Sequence, residues 1–228
     1  MSNMLNEPHV SVDSPYYPYR RVYDYTNTPR AEELLSKLVN YLLDLPDAIY
    51  TPKDNNKLPR CRLNKLIYWD DADALNKPLP TPEQKMSLVF DPERPDRPPD
   101  PEKQYRIIPY AYPGQHVEYI GRTSLKIYLT YAKPIDDYRV EQAVSFEVLC
   151  NDALEGNVHQ NVLSRSYDIA NDIKNALHGV NMEGVGAWYY DRRQNTYCGL
   201  EPIYDKSLNV GYILTMGVTL MGGEAIEP

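Results

Sequence analysis

The side chains able to do chemistry in this chain are closely paired carboxylates, four scattered histidines and three cysteines. Asp70, Asp71 and Asp73 in WDDAD have the oxygen ligands that a hard divalent cation wants. A calcium loop needs further ligands and a glycine at fixed offsets, which the stretch lacks, so WDDAD reads as a solvated turn. Asp136 and Asp137 form a second acidic pair in turn-like sequence, where neighbouring acids need no acid-base role. His9, His116, His159 and His178 fall at loop or helix-end positions, none at ligand spacing from another histidine or from a cysteine. Cys61, Cys150 and Cys198 are odd in number and lack metal spacing. They read as free thiols of a reducing compartment, or of a virus particle assembled in one. No GxSxG elbow, phosphate-binding loop, GxGxxG after a strand or HExxH occurs. The expectation is therefore a non-enzyme with no catalytic residues, no cofactor and no metal site.

The net charge of −8 argues against a protein whose main task is to grip nucleic acid, since phosphate binding rests on clustered Lys and Arg. No stretch approaches the eighteen or so apolar residues of a membrane span. The first residues show no continuous apolar segment of the kind a signal peptide carries. Tyrosine is the compositional oddity, with 21 Tyr against two Phe and two Trp. Its ring and hydroxyl suit half-buried sheet faces and protein contacts.

These residues need elements to position them. Residues 1–27 read as an extended Tyr-rich arm, because Pro15 and Pro18 interrupt regular structure. Tyr16, Tyr17, Tyr19, Arg20, Arg21, Tyr23 and Tyr25 are its candidate partner-binding residues, packed along their own domain or against a neighbouring subunit. A helix follows, with Thr28 as N-cap, Pro29 at the first helical position and Glu32 and Glu33 in the first turn. Leu34, Leu35, Leu38, Val39, Leu42 and Leu45 give it an apolar face, and Pro46 ends it. AIYT and RLNKLIYW read as short strands. The prolines crowd between Pro46 and Pro113, and the segment of about 76–118 reads as a Pro-rich insertion. Helix and central strand are disfavoured there. MSLVF and YRIIPYAY within it are apolar enough to need a surface to pack on.

From Ser124 to Leu220 the pattern is compact: strand, strand, helix, then strands. Leu125, Ile127, Leu129 and Tyr131 alternate with polar residues, and Val144, Phe146, Val148 and Cys150 repeat the period of two. AKPIDDYRVEQ between them is expected to form an extended hairpin tip carrying Asp136, Asp137, Arg139 and Glu141. The amphipathic segment Val158–Leu177 is expected to open at an Asn157 N-cap, with Gln160 completing a capping box, and to stop at Gly179. Arg165, Asp168, Asp172 and Lys174 lie off its apolar stripe, facing water, a subunit or the rim of an assembly. In the last strand Val210, Tyr212, Leu214, Met216, Val218 and Leu220 share one face. Gly211 and Gly217 on the other permit close approach of a backbone or a helix. The fold class is α+β: an antiparallel sheet of mixed strand lengths with one helix across it, an N-terminal helix and the Pro-rich insertion. Residues 28–220 form one domain, and residues 221–228 a mobile tail.

SLKIYLTY, AVSFEVLCND, NVLSRSYDIANDIKNALHG and GYILTMGVTL, taken in that order after the first helix, resemble the tail terminator or tail completion proteins of tailed bacteriophages. The resemblance covers the C-terminal half and the first helix. It implies a virion protein of the neck, assembled in the host cytoplasm: a homo-oligomeric ring, commonly a hexamer, that caps the tail tube and meets the head connector. The first two strands and the tip carrying Asp136, Asp137, Arg139 and Glu141 would then lie near the lumen or an interface. DNA would pass without being held, since like charge limits adhesion to phosphate. The arm and the insertion are additions to the family pattern and imply further contacts to neck, tube or sheath. The alternatives are a head completion or stopper protein on the portal side, and a small soluble enzyme with a dispersed site.

Overall fold

The structure, a computed structural model, describes residues 28–45, 62–71, 73–94, 98–99, 104–109, 122–136, 139–151, 155, 164–182, 186–193, 197–204 and 209–221. The elements are α1 (Thr28–Leu43), α2 (Leu63–Tyr68), a 3₁₀ turn (Ala74–Asn76), α3 (Pro82–Met86), β1 (Ile107–Ile108), β2 (Ser124–Asp136), β3 (Arg139–Asn151), α4 (Arg165–Leu177), β4 (Asn181–Met182), β5 (Gly186–Tyr189), β6 (Gly199–Tyr204) and β7 (Asn209–Met221). This is an α+β fold. The strand order is β1-β2-β3-β7-β5-β4, with β6 also on β7. β5 and β6 share one edge of β7, β6 pairing Val210–Thr215 and β5 pairing Gly217–Thr219. Every pairing is antiparallel except β1 with β2.

Alternation puts Leu125, Ile127, Val144, Phe146, Val148, Leu214, Met216 and Val218 on one side of the sheet, all buried. Ile169, Ala170, Ile173 and Leu177 of α4 meet them. One helix does not suffice to cover that side: Leu34, Leu38, Val39 and Leu42 of α1 and Leu63, Leu66 and Ile67 of α2 belong to the same core. RLNKLIYW, expected as a strand, is helical over Leu63–Tyr68. Leu63, Leu66 and Ile67 stand at helical spacing, and that face is what the core takes up.

The Pro-rich segment packs on the domain through Leu88, Tyr105, Ile107 and Ile108, all buried. It holds a helix as well. Thr81 Oγ1 accepts from the Gln84 amide at 3.3 Å, and Gln84 Oε1 accepts from the Thr81 amide at 2.9 Å, a capping box that starts α3 with Pro82 at its first position. AIYT lies outside the described residues. Among the described residues no helix is long and apolar enough to cross a membrane.

The central helix begins later than its amphipathic pattern suggests. Ser164 is extended (φ −162°, ψ 150°) and its side chain accepts from the Tyr167 amide at 3.1 Å, so α4 starts at Arg165. Asn157 and Gln160 lie outside the described residues. β7 runs to Met221, opposite Arg139, one residue into the segment expected to be a tail.

Gly211 sits where β7 crosses β3 so closely that a Cβ would stand 1.8 Å from the Val148 carbonyl oxygen. Gly179, just past α4, has φ +81° and open space around it. Gly211→Ala is therefore expected to destabilise by about 3 kcal/mol through overpacking against backbone. Gly179→Ala should cost about 1 kcal/mol, from left-handed strain alone. Chemical denaturation of both variants checks the order; equal losses would contradict it.

Candidate functional site

Two features stand out, one buried and one open. The buried one surrounds α2. Arg165, 1% exposed, reaches from the start of α4 to the far end of α2. Its Nη2 donates to the Leu66 carbonyl at 2.6 Å and to the Trp69 carbonyl, and its Nη1 to the Asp71 carbonyl at 3.2 Å. Arg106, also 1% exposed, donates to the carbonyls of Ile67 and Tyr68 and pairs with Asp70. The last carbonyls of a helix have no partner within it. Here two guanidinium groups supply them, and their charge complements the negative end of the helix dipole.

Opposite charge holds the other end. Asp172 accepts from the Arg62 amide at 2.6 Å, directly before α2, and Asp168 lies 3.0 Å from the Arg62 guanidinium. Arg165, Asp168 and Asp172, expected to face water, a subunit or an assembly rim, are therefore buried against α2. Their spacing of three and four residues puts them on one face of α4 beside its apolar stripe. Asp70 departs from the solvated-turn expectation in the same way, accepting from the Thr123 amide at 3.3 Å while pairing with Arg106. Asp71 pairs with half-buried Lys77 and accepts from the Asp73 amide at 3.0 Å, as a turn would.

The chemistry of this centre is electrostatic closure. Burial lowers the proton affinity of both Arg106 and Arg165, opposed by the charge of Asp70 for Arg106 and of Asp70 and Asp71 for Arg165. Burial likewise pushes the Cys150 thiol up, which keeps it protonated and a weak nucleophile. Cys150 and Cys198 are both unbridged and buried; Cys61 lies outside the described residues. Among the described residues no three His, Cys, Asp or Glu gather in a way that could hold a metal ion.

The open feature is the other side of the sheet. Thr130, Ser145 and Thr215 form a hydroxyl chain across β2, β3 and β7, with links of 2.5 and 2.9 Å. Lys126 pairs with Glu147 at 2.6 Å. The Tyr131 and Tyr197 rings lie 4.4 Å apart. Tyr189 crosses Gly217, where a Cβ would stand 2.3 Å from its ring, and donates to Glu141 at 2.7 Å. Beside them Thr130, Arg192, Tyr197, Cys198, Glu201 and Thr215 line a shallow depression of about 240 Å³. Tyr197 is 50% exposed. The arrangement suits recognition: ring area on a rigid frame with hydrogen-bonding groups at its rim.

Two of the strands with a free edge, β2 and β6, are ill suited to pairing. Among the described residues β2 is covered by β1 only at Leu125 and Lys126. Beyond that it carries register shifts between Leu129 and Tyr131 and between Pro134 and Asp136. β6 carries Pro202, which lacks an amide hydrogen. Bulges and prolines are the devices that stop edges from adding strands.

The hairpin tip is shorter than expected. β2 and β3 stay paired through Asp136 and Arg139, so only residues 137 and 138 join them, and both lie outside the described residues. Asp136 and Arg139 sit at the strand ends, while Glu141 belongs to β3 and is fixed by Tyr189. Tyr16, Tyr17, Tyr19, Arg20, Arg21, Tyr23 and Tyr25 lie outside the described residues, as do His9, His116 and His159. His178 is exposed and accepts from the Tyr190 amide at 3.1 Å, a local link after α4.

Replacing Arg165 by Met leaves three backbone carbonyls without their donor. It is expected to destabilise by about 3 kcal/mol or more, whereas Arg193→Met, at an exposed arginine paired with Asp191, should stay within about 0.5 kcal/mol. Equal effects would mean that the buried guanidinium is dispensable. A pH dependence follows from the acids. Burial pushes the Asp172 carboxyl up to about 6, opposed by the Arg62 amide and guanidinium, and raises Asp168 as well. A folded value above the unfolded one of about 3.9 means that the fold binds this proton more tightly than the unfolded chain does. The Asp172 contribution to stability is then absent above about pH 7 and grows as pH falls through 6 toward 4, by about 1 kcal/mol between pH 7 and 5. Thermal melting at the two pH values should show the gain in the native chain and most of it lost in Asp172→Asn; the same gain in both would assign it elsewhere. No family model matches the chain, and no curated protein matches it.

Proposed function

We propose that this chain is a structural protein of a tailed-phage neck that forms a homo-oligomeric ring, a hexamer, terminating the tail tube and joining it to the head connector. The open tyrosine-bearing side of the sheet carries the proposal. It is rigid because the opposite side is fully packed. Along β2 and β6 it is bounded by edges that resist strand addition, which favours self-association face to side, closing into a ring rather than extending as a fibre.

The β2–β3–β7 projection supports the same function. β3 pairs β7 along its whole length and β2 from Arg139 to Leu149, so the strand ends at Asp136 and Arg139 are carried on a three-stranded stalk. In the ring this end of the hairpin, with Asp136, Asp137 and Arg139, lies toward the lumen. An overall charge of −8 suits a passage that lets DNA through without adhesion. The partners are further copies of the chain, the tail tube protein and the head connector or stopper, with the sheath as a further contact in a contractile tail. The location is the virion neck.

Tyr197→Asp places a charge on the open side without touching the core. It is expected to weaken self-association at least about tenfold while costing the isolated chain no more than about 1 kcal/mol, the worth of its ring contact with Tyr131. Sedimentation velocity across a concentration series checks this; unchanged association would remove the open side from the interface.

A further inference from the structure

The shallow depression on the open side of the sheet has the parts of a ligand site. Gly199, the first residue of β6, belongs to its lining. A Cβ there would stand 3.1 Å from Arg192 Nη2 and 3.9 Å from Glu201 Oε1, so an arginine and a glutamate flank one glycine. Both side chains are exposed, and among the described residues neither enters an ion pair. Arg192 spends its Nε on the Cys198 carbonyl at 2.9 Å. Its Nη groups are left to donate and the Glu201 carboxylate to accept.

The rest of the lining is aromatic and hydroxyl-bearing. The Tyr197 ring, half exposed, is backed by Tyr131 at 4.4 Å, which fixes its plane before a ligand arrives. Thr130 and Thr215 both line the depression. With Ser145 they hold three hydroxyl protons, and the two links among them use two. One O–H and the outer lone pairs remain for a ligand.

This chemistry selects a neutral ring rich in hydroxyls. Two adjacent hydroxyls accept from Arg192 and donate to Glu201 at once, which neither a simple anion nor a simple cation does. Opposite charges side by side leave no net charge for an ion to select. Ion pairs of a zwitterion with the same two groups gain little at an exposed surface. The C–H face of a pyranose suits the negative face of a tyrosine ring, and the missing Cβ of Gly199 lets a ligand come close to the backbone. A space of about 240 Å³ is too small for a drug-sized molecule and suits a single sugar ring.

We propose that this depression binds one pyranose ring of a neutral saccharide, stacked on Tyr197, with neighbouring hydroxyls held between Arg192 and Glu201 above Gly199. The site is complete within one chain and does not rest on ring assembly.

The test titrates the full chain with methyl glucoside, methyl galactoside and methyl mannoside and follows saturation-transfer NMR. Because the proposed ring surface includes Tyr197, the chain is kept at concentrations where sedimentation velocity shows single chains. At least one glycoside is expected to bind with a Kd of about a millimolar or tighter, unaffected by added salt. Gly199→Ala fills the gap between Arg192 and Glu201 and should weaken binding at least about tenfold. Its melting temperature should not fall, since the atoms nearest the new methyl are the ends of flexible side chains. Binding of none of the three glycosides, equal binding by the variant, or binding that falls as salt rises would each overturn the proposal. So would displacement of the glycoside by free glutamine, the zwitterionic probe. Glycoside binding by a chain that never forms rings would leave the site standing and remove only the neck function.

Discussion

Buried helix ends must find partners, and this constraint organises the domain. The C-terminal carbonyls of α1 are met by Asn64, which donates to Leu42 and Leu43 at 3.2 Å, and by Lys85 of α3. Those of α2 are met by Arg165 and Arg106. At the end of α4, Tyr41 of α1 donates to the Ala176 carbonyl at 2.9 Å. The C-terminal ends of α1, α2 and α4 are thus each met by side chains from other elements. A helix of six residues such as α2 has no stability of its own in water. It persists because Arg62, held by Asp168 and Asp172, fixes its start while two buried guanidinium groups fix its end.

This closure decides what the sheet can do. With α1, α2 and α4 locked over one side, the other is left as a frame whose side chains are set by strand register. Hydroxyls of Thr130, Ser145 and Thr215 run across its centre, and tyrosines lie at its margins. Gly217 lets the Tyr189 ring lie across β7, and Glu141 fixes its hydroxyl. A recognition surface built on paired strands needs little ordering when a partner arrives, which lowers the entropic cost of association.

Much of the frame was legible in the sequence. Period-two alternation placed β2, β3 and β7, and the spacing of Leu34, Leu38 and Leu42 placed α1, because in these segments local pattern and tertiary burial agree. The misreadings fall where long-range contacts override local ones. Arg165, Asp168 and Asp172 look solvated beside the apolar stripe of α4. They are buried because α2, about a hundred residues earlier, docks on that face. Their own three-and-four spacing, and that of Leu63, Leu66 and Ile67, held the signal. The TPEQ capping box was likewise readable and was hidden by the surrounding prolines. The hairpin tip shrank because β7 pairs β3 as far as Arg139, a constraint absent from the hairpin's own sequence. The tyrosine pairing of the open side had no local signature, since Tyr131 and Tyr197 meet only once β6 and β2 are both folded. The seven arm residues lie beyond the described residues.

The central functional claim is that this chain closes a tail tube, and electron microscopy of the purified protein mixed with uncapped tail tubes tests it most directly. A ring bound at one end of each tube is the result the account requires. Binding to portal complexes alone, with tubes left bare, would contradict it and place the chain on the head side of the neck.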